Sequence, residues 1–275
     1  MNHADPDHAC RNGAGPTPAQ PAPRDAAGPD GSAGPRTLVA VPVYNEQKHI
    51  QNVIAKIARF ARDNVLVIDD GSTDYTPMLL AMQPVDVIRH KTNQGYGRAI
   101  RDAFRWAQAN DYDWLITMDC DEQHEPESLP DFERAIAQDD ADVISGSRYM
   151  CPDRCGDPPP ADRRRINQTI TGWVNDRLGL QITDAFCGYK AYRVSALADL
   201  DLTVDGYAIP LQFWVQHAAA GHRVKELPIR LIYNDPNRSF GGPLDNPEQR
   251  LAHYRDVFER ELQVHEAQFA AQAMA

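Results

Sequence analysis

The sequence lacks any long apolar run and any segment that resembles a secretory signal. No window of the 275 residues approaches the roughly 18 consecutive apolar residues that a membrane-spanning helix needs. The N-terminus has no charged segment followed by an apolar one. We therefore expect a soluble, cytoplasmic protein, and peripheral attachment at the inner face of a membrane stays open.

Cysteine is scarce, and basic residues are outnumbered. The five cysteines are scattered and odd in number, and only one pair stands close together, so neither a disulfide framework nor a zinc site is indicated. Lysine and arginine total 28 against 39 acidic residues, which gives a net charge of -11. That balance argues against a nucleic-acid partner. An anionic ligand would have to be held by local cations or by a metal ion.

Large apolar side chains are almost absent from residues 1–35, which are rich in proline, glycine and alanine. Such a segment cannot bury enough surface to offset the entropy cost of ordering, so a disordered tail is predicted. Residues 36–245 are predicted to form one domain and residues 246–275 a C-terminal amphipathic helix. We expect its apolar stripe to pack on the core or on another subunit rather than on a membrane.

From Thr37 onward, strand and helix patterns alternate. Short apolar runs separated by amphipathic segments predict an α/β fold, with a mostly parallel sheet flanked by helices on both faces. The predicted strands are 37–43, 64–70, 85–90, 113–119, 141–147 and 223–233, with a turn into a strand over 184–193. The predicted helices are 46–63, 97–110, 126–139, 166–180, 206–222 and 247–272, with a loop over 149–165.

Polar residues gather where the predicted strands end. The clusters cover 44–46, 69–74, 119–124 and 145–149, after the first, second, fourth and fifth strands. In such sheets, ligands bind outside the carboxyl ends of the strands. The four clusters are therefore predicted to share one site.

Two aspartates, Asp119 and Asp121, follow the fourth strand directly. Strand alternation lets both face the same way, and neighbouring carboxylates repel each other unless a positive charge lies between them. Hard oxygen ligands suit Mg²⁺ or Mn²⁺, which take part of their coordination from substrate phosphates, and Gln123 can add a neutral oxygen. A solvated loop is the alternative that a D-x-D alone leaves open. His124 is expected to be an exposed loop histidine.

The cluster after the second strand supports a nucleotide site. A carboxylate near the end of the second strand can accept hydrogen bonds from a base or a ribose hydroxyl, and Gly71 lets the backbone pass close to a ligand. An Asx turn that caps the next helix, through Thr73 or Asp74, is the alternative. The glycines of residues 93–100 match neither a dinucleotide fingerprint nor a Walker motif, which argues against a dinucleotide or ATP cradle.

Seven motifs in register resemble those of family 2 glycosyltransferases, most closely the dolichol-phosphate mannosyltransferase branch. They span about residues 37–232 and read, in order, VPVYNE, VIDDGSTD, NQGYGRAIRDAF, MDCDEQHEPESL, SGSRY, DAFCGYKAYR and KELPI. The resemblance implies a GT-A fold with a nucleotide-sugar-binding sheet, a divalent Mg²⁺ or Mn²⁺, and inversion at the anomeric carbon. The implied donor is a GDP- or UDP-sugar such as GDP-mannose or UDP-glucose, and the implied acceptor is a dolichol-type polyprenyl phosphate.

The resemblance also assigns roles to residues at matching motif positions. The nucleoside would contact Pro42, Tyr44, Glu46, Ile68 and Asp70. The metal would be held by Asp119, Asp121 and Gln123, and Cys120 would touch the donor. Arg148 would approach the diphosphate or the acceptor phosphate, and Asp184 would sit by the sugar and the acceptor. The predicted catalytic residues are Asp121, Arg148 and Asp184.

Three positions depart from the branch and bear on the acceptor. Gln212 stands where a glutamate is usual, and Asn234 and Phe240 stand where an arginine and a lysine for phosphates are usual. Arg230 or Arg238 would then be the substitute cations on the acceptor side. The loss of a carboxylate favours a phosphate acceptor, because a phosphate monoester, with a second pKa of about 6, needs no general base.

Other interpretations remain open at this point. Asp184 is the candidate base if the acceptor is a hydroxyl. One alternative is a glycosyltransferase for a soluble hydroxyl acceptor or a growing polysaccharide, and another is a non-catalytic nucleotide-sugar-binding protein. The run Arg163, Arg164 and Arg165 would meet anionic lipid heads or the acceptor phosphate, or would be a solvated helix start.

Overall fold

The computed structural model describes residues 34–61, 64–122, 124–150, 160–230, 232 and 241–272. The predicted tail lies outside these residues apart from its last two. The strands are β1 Thr37–Val43, β2 Val65–Asp69, β3 Asp86–Arg89, β4 Trp114–Thr117, β5 Val143–Ser147, β6 Lys190–Arg193 and β7 Val224–Pro228. The helices are α1 Ile50–Ile57, α2 Thr76–Leu80, α3 Tyr96–Ala109, α4 Leu129–Ile136, α5 Ala161–Leu178, α6 Ile209–Ala219, α7 Pro247–Val264 and α8 Glu266–Gln272.

The described strands form one seven-stranded sheet in the order β3-β2-β1-β4-β6-β5-β7. All neighbouring pairs are parallel except those of β6, which runs antiparallel to both β4 and β5. The prediction of a mostly parallel α/β sheet is therefore confirmed. Because β6 is reversed, its first residue, Lys190, pairs with Thr117 at the end of β4. Lys190 thus lies at the edge where the parallel strands finish.

The core lies on both faces of the sheet, which is why the strands are apolar without interruption. Side chains alternate between the faces, so Leu38 and Ala40 pack with α3 and α6, whereas Val39 and Val41 pack with α1 and α4. Each fully buried aliphatic or aromatic side chain contributes roughly 1.5–3 kcal/mol. No helix of the described residues is long and apolar enough to cross a membrane.

The structure corrects two predicted elements. The predicted loop over 149–165 is too long, because α5 begins at Ala161 and includes Arg163 to Arg165. Pro160 is the residue immediately before the helix, and the acidic Asp162 lies in its first turn, where negative charge is favourable. The predicted C-terminal helix is two helices that break at His265. This break directs α8 to α6, where Gln272 Nε2 donates to the carbonyls of Ala218 and Ala219.

Candidate active site

A cavity of about 840 Å³ lies where β1, β2, β4 and β5 end, and it is bounded by residues of α3, α5, α6 and α7. Among the described residues, four carboxylates and four cations line it. The acidic side consists of Glu46, Asp70, Asp119 and Asp121, which follow the neighbouring strands β1, β2 and β4. The basic side consists of Arg148 after β5, Lys190 at the start of β6, Arg163 on α5 and Arg250 on α7.

The loop after β4 presents Asp119 and Asp121 to the cavity. Asp121 is buried at 7% exposure. Asp119 Oδ1 accepts a hydrogen bond from the hydroxyl of Tyr96 at 3.3 Å. A Cβ atom at Gly188 would lie 2.6 Å from Asp119 Oδ2, so only glycine leaves room for this carboxylate. Asp119 is therefore held in a close-fitting position by α3 and by the turn before β6.

His124 is buried, so the prediction of an exposed loop histidine is wrong. Its Nδ1 atom accepts a hydrogen bond from the backbone N–H of Asp119 at 3.1 Å, and its ring packs against Tyr189 with centroids 5.3 Å apart. Burial lowers the pKa of His124 to about 4. The neutral ring thus acts as an acceptor that fixes the backbone beside Asp119.

The donor set of the acidic pair fits a hard divalent cation. Asp119 and Asp121 contribute carboxylate oxygens, whereas the predicted third ligand, Gln123, lies outside the described residues. Within those residues, no group of three His, Cys, Asp or Glu side chains is arranged to hold a metal. A pair of carboxylates suits Mg²⁺, which typically binds one or two carboxylates and takes its remaining ligands from water and substrate phosphates.

Asp70 shapes the cavity wall next to the acidic pair. Its carboxylate accepts from the backbone N–H groups of Gln94 and Gly95, both at 2.8 Å, and lies 2.6 Å from His90 Nδ1. Gly71 has φ of +76°, and a Cβ atom there would lie 2.4 Å from the Thr92 carbonyl carbon. These contacts hold the loop that leads into α3. The predicted contact of Asp70 with a nucleoside stays a prediction.

The turn predicted as an alternative after β2 is also present. Asp69 Oδ1 accepts from Ser72 N at 2.8 Å, and Asp74 Oδ1 accepts from Thr76 N at 2.9 Å, where α2 begins. Of the remaining predicted donor residues, Pro42, Tyr44, Glu46, Cys120 and Arg148 line the cavity. Ile68 does not line it. Its side chain is fully buried in the core.

The partly buried Arg148 and the fully buried Asp184 form an ion pair at the end of β5. The guanidinium donates through Nε to Oδ2 at 2.6 Å and through Nη2 to Oδ1 at 2.9 Å, and Asn167 Nδ2 donates to Oδ1 at 2.8 Å. Burial alone would raise the pKa of Asp184, but the charge and hydrogen bonds of Arg148 lower it to about 2. Arg148 lines the cavity, whereas Asp184 is fully buried and does not. The structure thus places Asp184 behind Arg148 as its support.

Neither described member of the predicted acceptor set reaches the cavity. Gln212 is buried, accepts from Thr203 N at 2.8 Å and donates to Glu261 Oε2 of α7 at 3.0 Å. Arg230 is exposed and pairs with Glu125 at 3.1 Å. Arg238, Asn234 and Phe240 lie outside the described residues. Gln212 therefore ties α6 to α7 through the carboxylate of Glu261.

Several cavity residues carry no sequence prediction of a role. Tyr96 stacks on Tyr207 with centroids 5.7 Å apart. Lys190 is buried, which lowers its pKa, and its Nζ donates to the carbonyl of Cys187. Arg250 and Tyr254 lie one helical turn apart on α7 and both line the cavity. The sequence offered one signal of this arrangement. Arg250 stands four residues before Tyr254, an aromatic residue of the predicted C-terminal helix, and residues i and i+4 lie on the same helix face.

Comparison with known proteins agrees with this geometry. The sequence model of glycosyl transferase family 2 matches residues 38–201. The chain belongs to this family. It is a glycosyltransferase with a GT-A fold, as predicted. It is similar to enzymes whose names specify mannose transfer to a polyprenyl phosphate.

Two relatives show the branch. The chain is 31% identical over 213 residues to an undecaprenyl-phosphate mannosyltransferase of Micrococcus luteus, and the match covers 74% of this chain and 86% of that protein. It is 33% identical over 204 residues to a polyprenol monophosphomannose synthase of Mycolicibacterium smegmatis, and the match covers 70% and 76%. The predicted resemblance to the polyprenyl-phosphate branch is confirmed.

A solved structure shares the architecture. Glucosyl-3-phosphoglycerate synthase from Mycobacterium tuberculosis, in complex with Mn²⁺, uridine-diphosphate-glucose and phosphoglyceric acid, matches with a TM-score of 0.63. The match covers 85% of this chain and 80% of that one, at 17% sequence identity. At this identity the likeness shows the fold alone.

Proposed function

We propose that this glycosyltransferase moves a hexose from a GDP- or UDP-sugar to a polyprenyl phosphate, with a divalent cation and with inversion at the anomeric carbon. One observation carries the proposal: a single cavity is lined by carboxylates that follow β1, β2 and β4 and by cations that lie at β5 and β6 and on α5 and α7. That division suits a reaction in which a metal-bound diphosphate leaves and a second anion attacks. The named activities of the relatives support the polyprenyl phosphate.

The acidic side would bind the donor. Pro42 and the half-exposed Tyr44 would flank the nucleoside, and Asp119 and Asp121 would hold Mg²⁺ or Mn²⁺, with Gln123 as the predicted third ligand. The cation, when bound, supplies charge neutralisation for the leaving diphosphate. Tyr96 and Gly188 keep the Asp119 carboxylate in place, so the site needs little reorganisation when the donor enters.

Arg148 would meet the diphosphate from the opposite side. Its guanidinium is aligned by two hydrogen bonds to Asp184 and lines the cavity. A planar guanidinium matches phosphate oxygens well and keeps its charge at all physiological pH values. As the bond between the anomeric carbon and the diphosphate oxygen breaks, its electron pair stays on that oxygen, where Arg148 would stabilise the added charge.

The acceptor is assigned from what lies near the reacting centre. The predicted general base, Asp184, is fully buried and committed to Arg148, and Gln212 does not line the cavity. A phosphate monoester with a second pKa of about 6 is already ionised near neutral pH and needs no base. Its oxygen would form the new bond on the face opposite the leaving group, which inverts the configuration. A polyprenyl chain would bring the enzyme to the cytoplasmic surface of a membrane.

The test is transfer of radiolabel from GDP-mannose and from UDP-glucose, with Mn²⁺, to three acceptors: a polyprenyl phosphate, soluble sugars and phosphoglyceric acid. The expected product is a polyprenyl phosphate sugar that hot dilute acid cleaves. Product on a soluble acceptor alone would contradict the assigned acceptor. Donor binding without transfer or hydrolysis for any nucleotide sugar would instead indicate a non-catalytic binding protein.

A further inference from the structure

His90 lies next to the candidate site but does not line the cavity. It follows β3, and its backbone N–H donates to the carbonyl of Asp69 at 2.9 Å. Its side chain is only 6% exposed, and neither the motifs nor the proposed chemistry gives it a role. Buried polar ring atoms need hydrogen-bond partners, and both partners of this ring are carboxylates.

The ring of His90 bridges Asp70 and Asp102. Its Nδ1 atom lies 2.6 Å from Asp70 Oδ1, and its Nε2 atom lies 3.0 Å from Asp102 Oδ2. Either ring nitrogen can donate to a carboxylate oxygen, and a ring that carries a proton on both nitrogens donates to both. The ring therefore connects the residue after β2 with the middle of α3.

Asp102 is the end of this bridge that lies away from the cavity lining. Its Oδ2 atom accepts from Arg98 Nε at 2.8 Å, and its Oδ1 atom accepts from Arg105 Nη1 at 2.7 Å. Burial alone would raise the pKa of Asp102, but the hydrogen bonds from Arg98 and Arg105 lower it. Asp102 is therefore an ionised acceptor near neutral pH, and three side chains of the protein share it.

Asp70 is the end of the bridge that lines the cavity. Besides its contact with His90, its carboxylate accepts from the backbone N–H groups of Gln94 and Gly95, both at 2.8 Å. A carboxylate has about four acceptor positions. These contacts therefore restrict the direction from which Asp70 can accept a further hydrogen bond from a ligand.

The same contacts place the start of α3. Gly95 has φ of +102°, and a Cβ atom there would lie 2.3 Å from the Asp205 carbonyl oxygen, so the loop passes close to a second backbone segment. The next residue, Tyr96, donates to Asp119 Oδ1 at 3.3 Å. A shift of Asp70 would therefore move both the cavity wall and the tyrosine that contacts a predicted metal ligand.

We infer that His90 is a positioning residue of the donor site. It fixes the Asp70 carboxylate and, through the loop 93–95, the tyrosine that holds Asp119. The inference rests on the proposed function, in which Asp70 faces the nucleotide of the donor. Because His90 acts through Asp70, the hydrogen bond at Nδ1 carries the effect, and the hydrogen bond at Nε2 anchors the ring.

Two substitutions separate the ends of the bridge. In His90→Asn the amide nitrogen lies as many bonds from Cβ as Nδ1 does, so a donor to Asp70 is retained. In His90→Gln the amide nitrogen corresponds to Nε2, so only a donor to Asp102 is retained. His253→Asn and His253→Gln, at an exposed histidine of α7, are the matched controls.

The first readout is the calorimetric affinity for GDP and for UDP, each with Mn²⁺, and the second is amide hydrogen exchange at Gln94 and Gly95 without ligand. His90→Gln should weaken nucleoside diphosphate binding about 10-fold or more and speed this exchange, as expected for loss of a hydrogen bond to a charged group. His90→Asn should stay within about 3-fold of the wild type, because its hydrogen bond to Asp70 is kept. A merely structural role would impair both variants alike. Equal losses, or no loss in His90→Gln, would overturn the inference.

Asp102→Asn keeps the test decisive if the His90 variants fail to fold. It weakens the anchor of the ring at a side chain that is 14% exposed, and it should speed exchange at Gln94 and Gly95. Unchanged exchange in this variant would overturn the inference. The proposed function fails by different results, namely a wild-type protein that binds neither GDP nor UDP or that transfers no sugar, and the exchange measurement tests His90 in either case.

Discussion

The two sides of the cavity are built in different ways. The acidic side follows three neighbouring parallel strands, and backbone N–H groups, glycines without a Cβ and a neutral histidine hold it in place. The basic side is gathered from β5, β6, α5 and α7, and two of its cations are held by ion pairs, Arg148 with Asp184 and Arg250 with Asp162. The carboxylates of the acidic side are therefore positioned by close packing and backbone hydrogen bonds. Two cations of the basic side are positioned by ion pairs with carboxylates.

The first prediction breaks the basic side. Asp184→Asn leaves the partly buried Arg148 without its counter-charge, which should cost up to about 3–5 kcal/mol of unfolding free energy and nearly all transfer activity. Denaturant unfolding at pH 7 measures the loss. Glu259→Gln, which breaks the exposed pair with Arg177 at 3.0 Å, is the control and should cost about 0–1 kcal/mol.

The same pair sets an acid dependence. The pKa of Asp184 is lowered to about 2 in the folded protein, so its stabilisation is present above the unfolded value near 4 and is lost as the pH falls through about 2. Asp184→Asn should therefore lose less stability than the wild type over that interval. Equal acid sensitivity of both proteins would show that the Arg148 pair does not govern it.

The second prediction loosens the fit of the acidic side. In Gly188→Ala the new Cβ must displace the Asp119 carboxylate, because the two atoms would be 2.6 Å apart. Affinity for Mn²⁺ in the presence of nucleoside diphosphate should fall about 10- to 100-fold, with little change in folding. Gly172→Ala on α5, where nothing lies within 4 Å of the added atom, is the control and should leave Mn²⁺ affinity unchanged.

The third prediction concerns the attachment of α7, which carries Arg250. In Gln212→Glu, two carboxylates would replace the 3.0 Å hydrogen bond to Glu261, and the free energy of unfolding should fall by about 1–3 kcal/mol. Adding Glu261→Gln should restore part of the loss, whereas additive losses would show that the two residues are not coupled. A double-mutant cycle followed by thermal melting measures the coupling.

The smallest effect is expected from removing residues 1–33. The composition of this segment predicts no packed core, and the retained Arg36 donates its N–H to Asp113 at 2.7 Å and lies over Tyr112 at 4.0 Å. Tm and donor affinity should both stay unchanged. A marked fall in Tm on truncation would show that the segment contributes to the core.

The different construction of the two sides explains which parts of the site could be predicted from the sequence. The sheet and the clusters at Glu46, Asp70 and Asp119 were predictable because a local apolar period and the strand-end rule place them together. Arg250 was not, because it reaches the cavity only through the packing of α7. For Asp184, the motif predicts a carboxylate beside the sugar and the acceptor. Only the packing of the folded protein shows that this carboxylate lies behind Arg148.

His124 and Gln212 illustrate the same limit. Both are polar residues in positions where exposure or contact with a ligand was expected, yet each is buried and bonds within the protein. Burial of a polar side chain depends on the groups that cover and satisfy it. Glu261, the partner of Gln212, is 49 residues away along the chain, and Tyr189, which covers the ring of His124, is also remote from it in sequence.

Mn²⁺ binding followed by electron paramagnetic resonance, with and without nucleoside diphosphate, tests the central claim most directly. The wild-type protein should bind Mn²⁺ tightly only when the diphosphate is present, because Asp119 and Asp121 supply part of the coordination. Asp121→Asn should abolish that binding, and Asp176→Asn, an exposed aspartate on α5, should preserve it. Diphosphate-dependent binding that survives in Asp121→Asn would contradict the assignment of the acidic pair as the metal site.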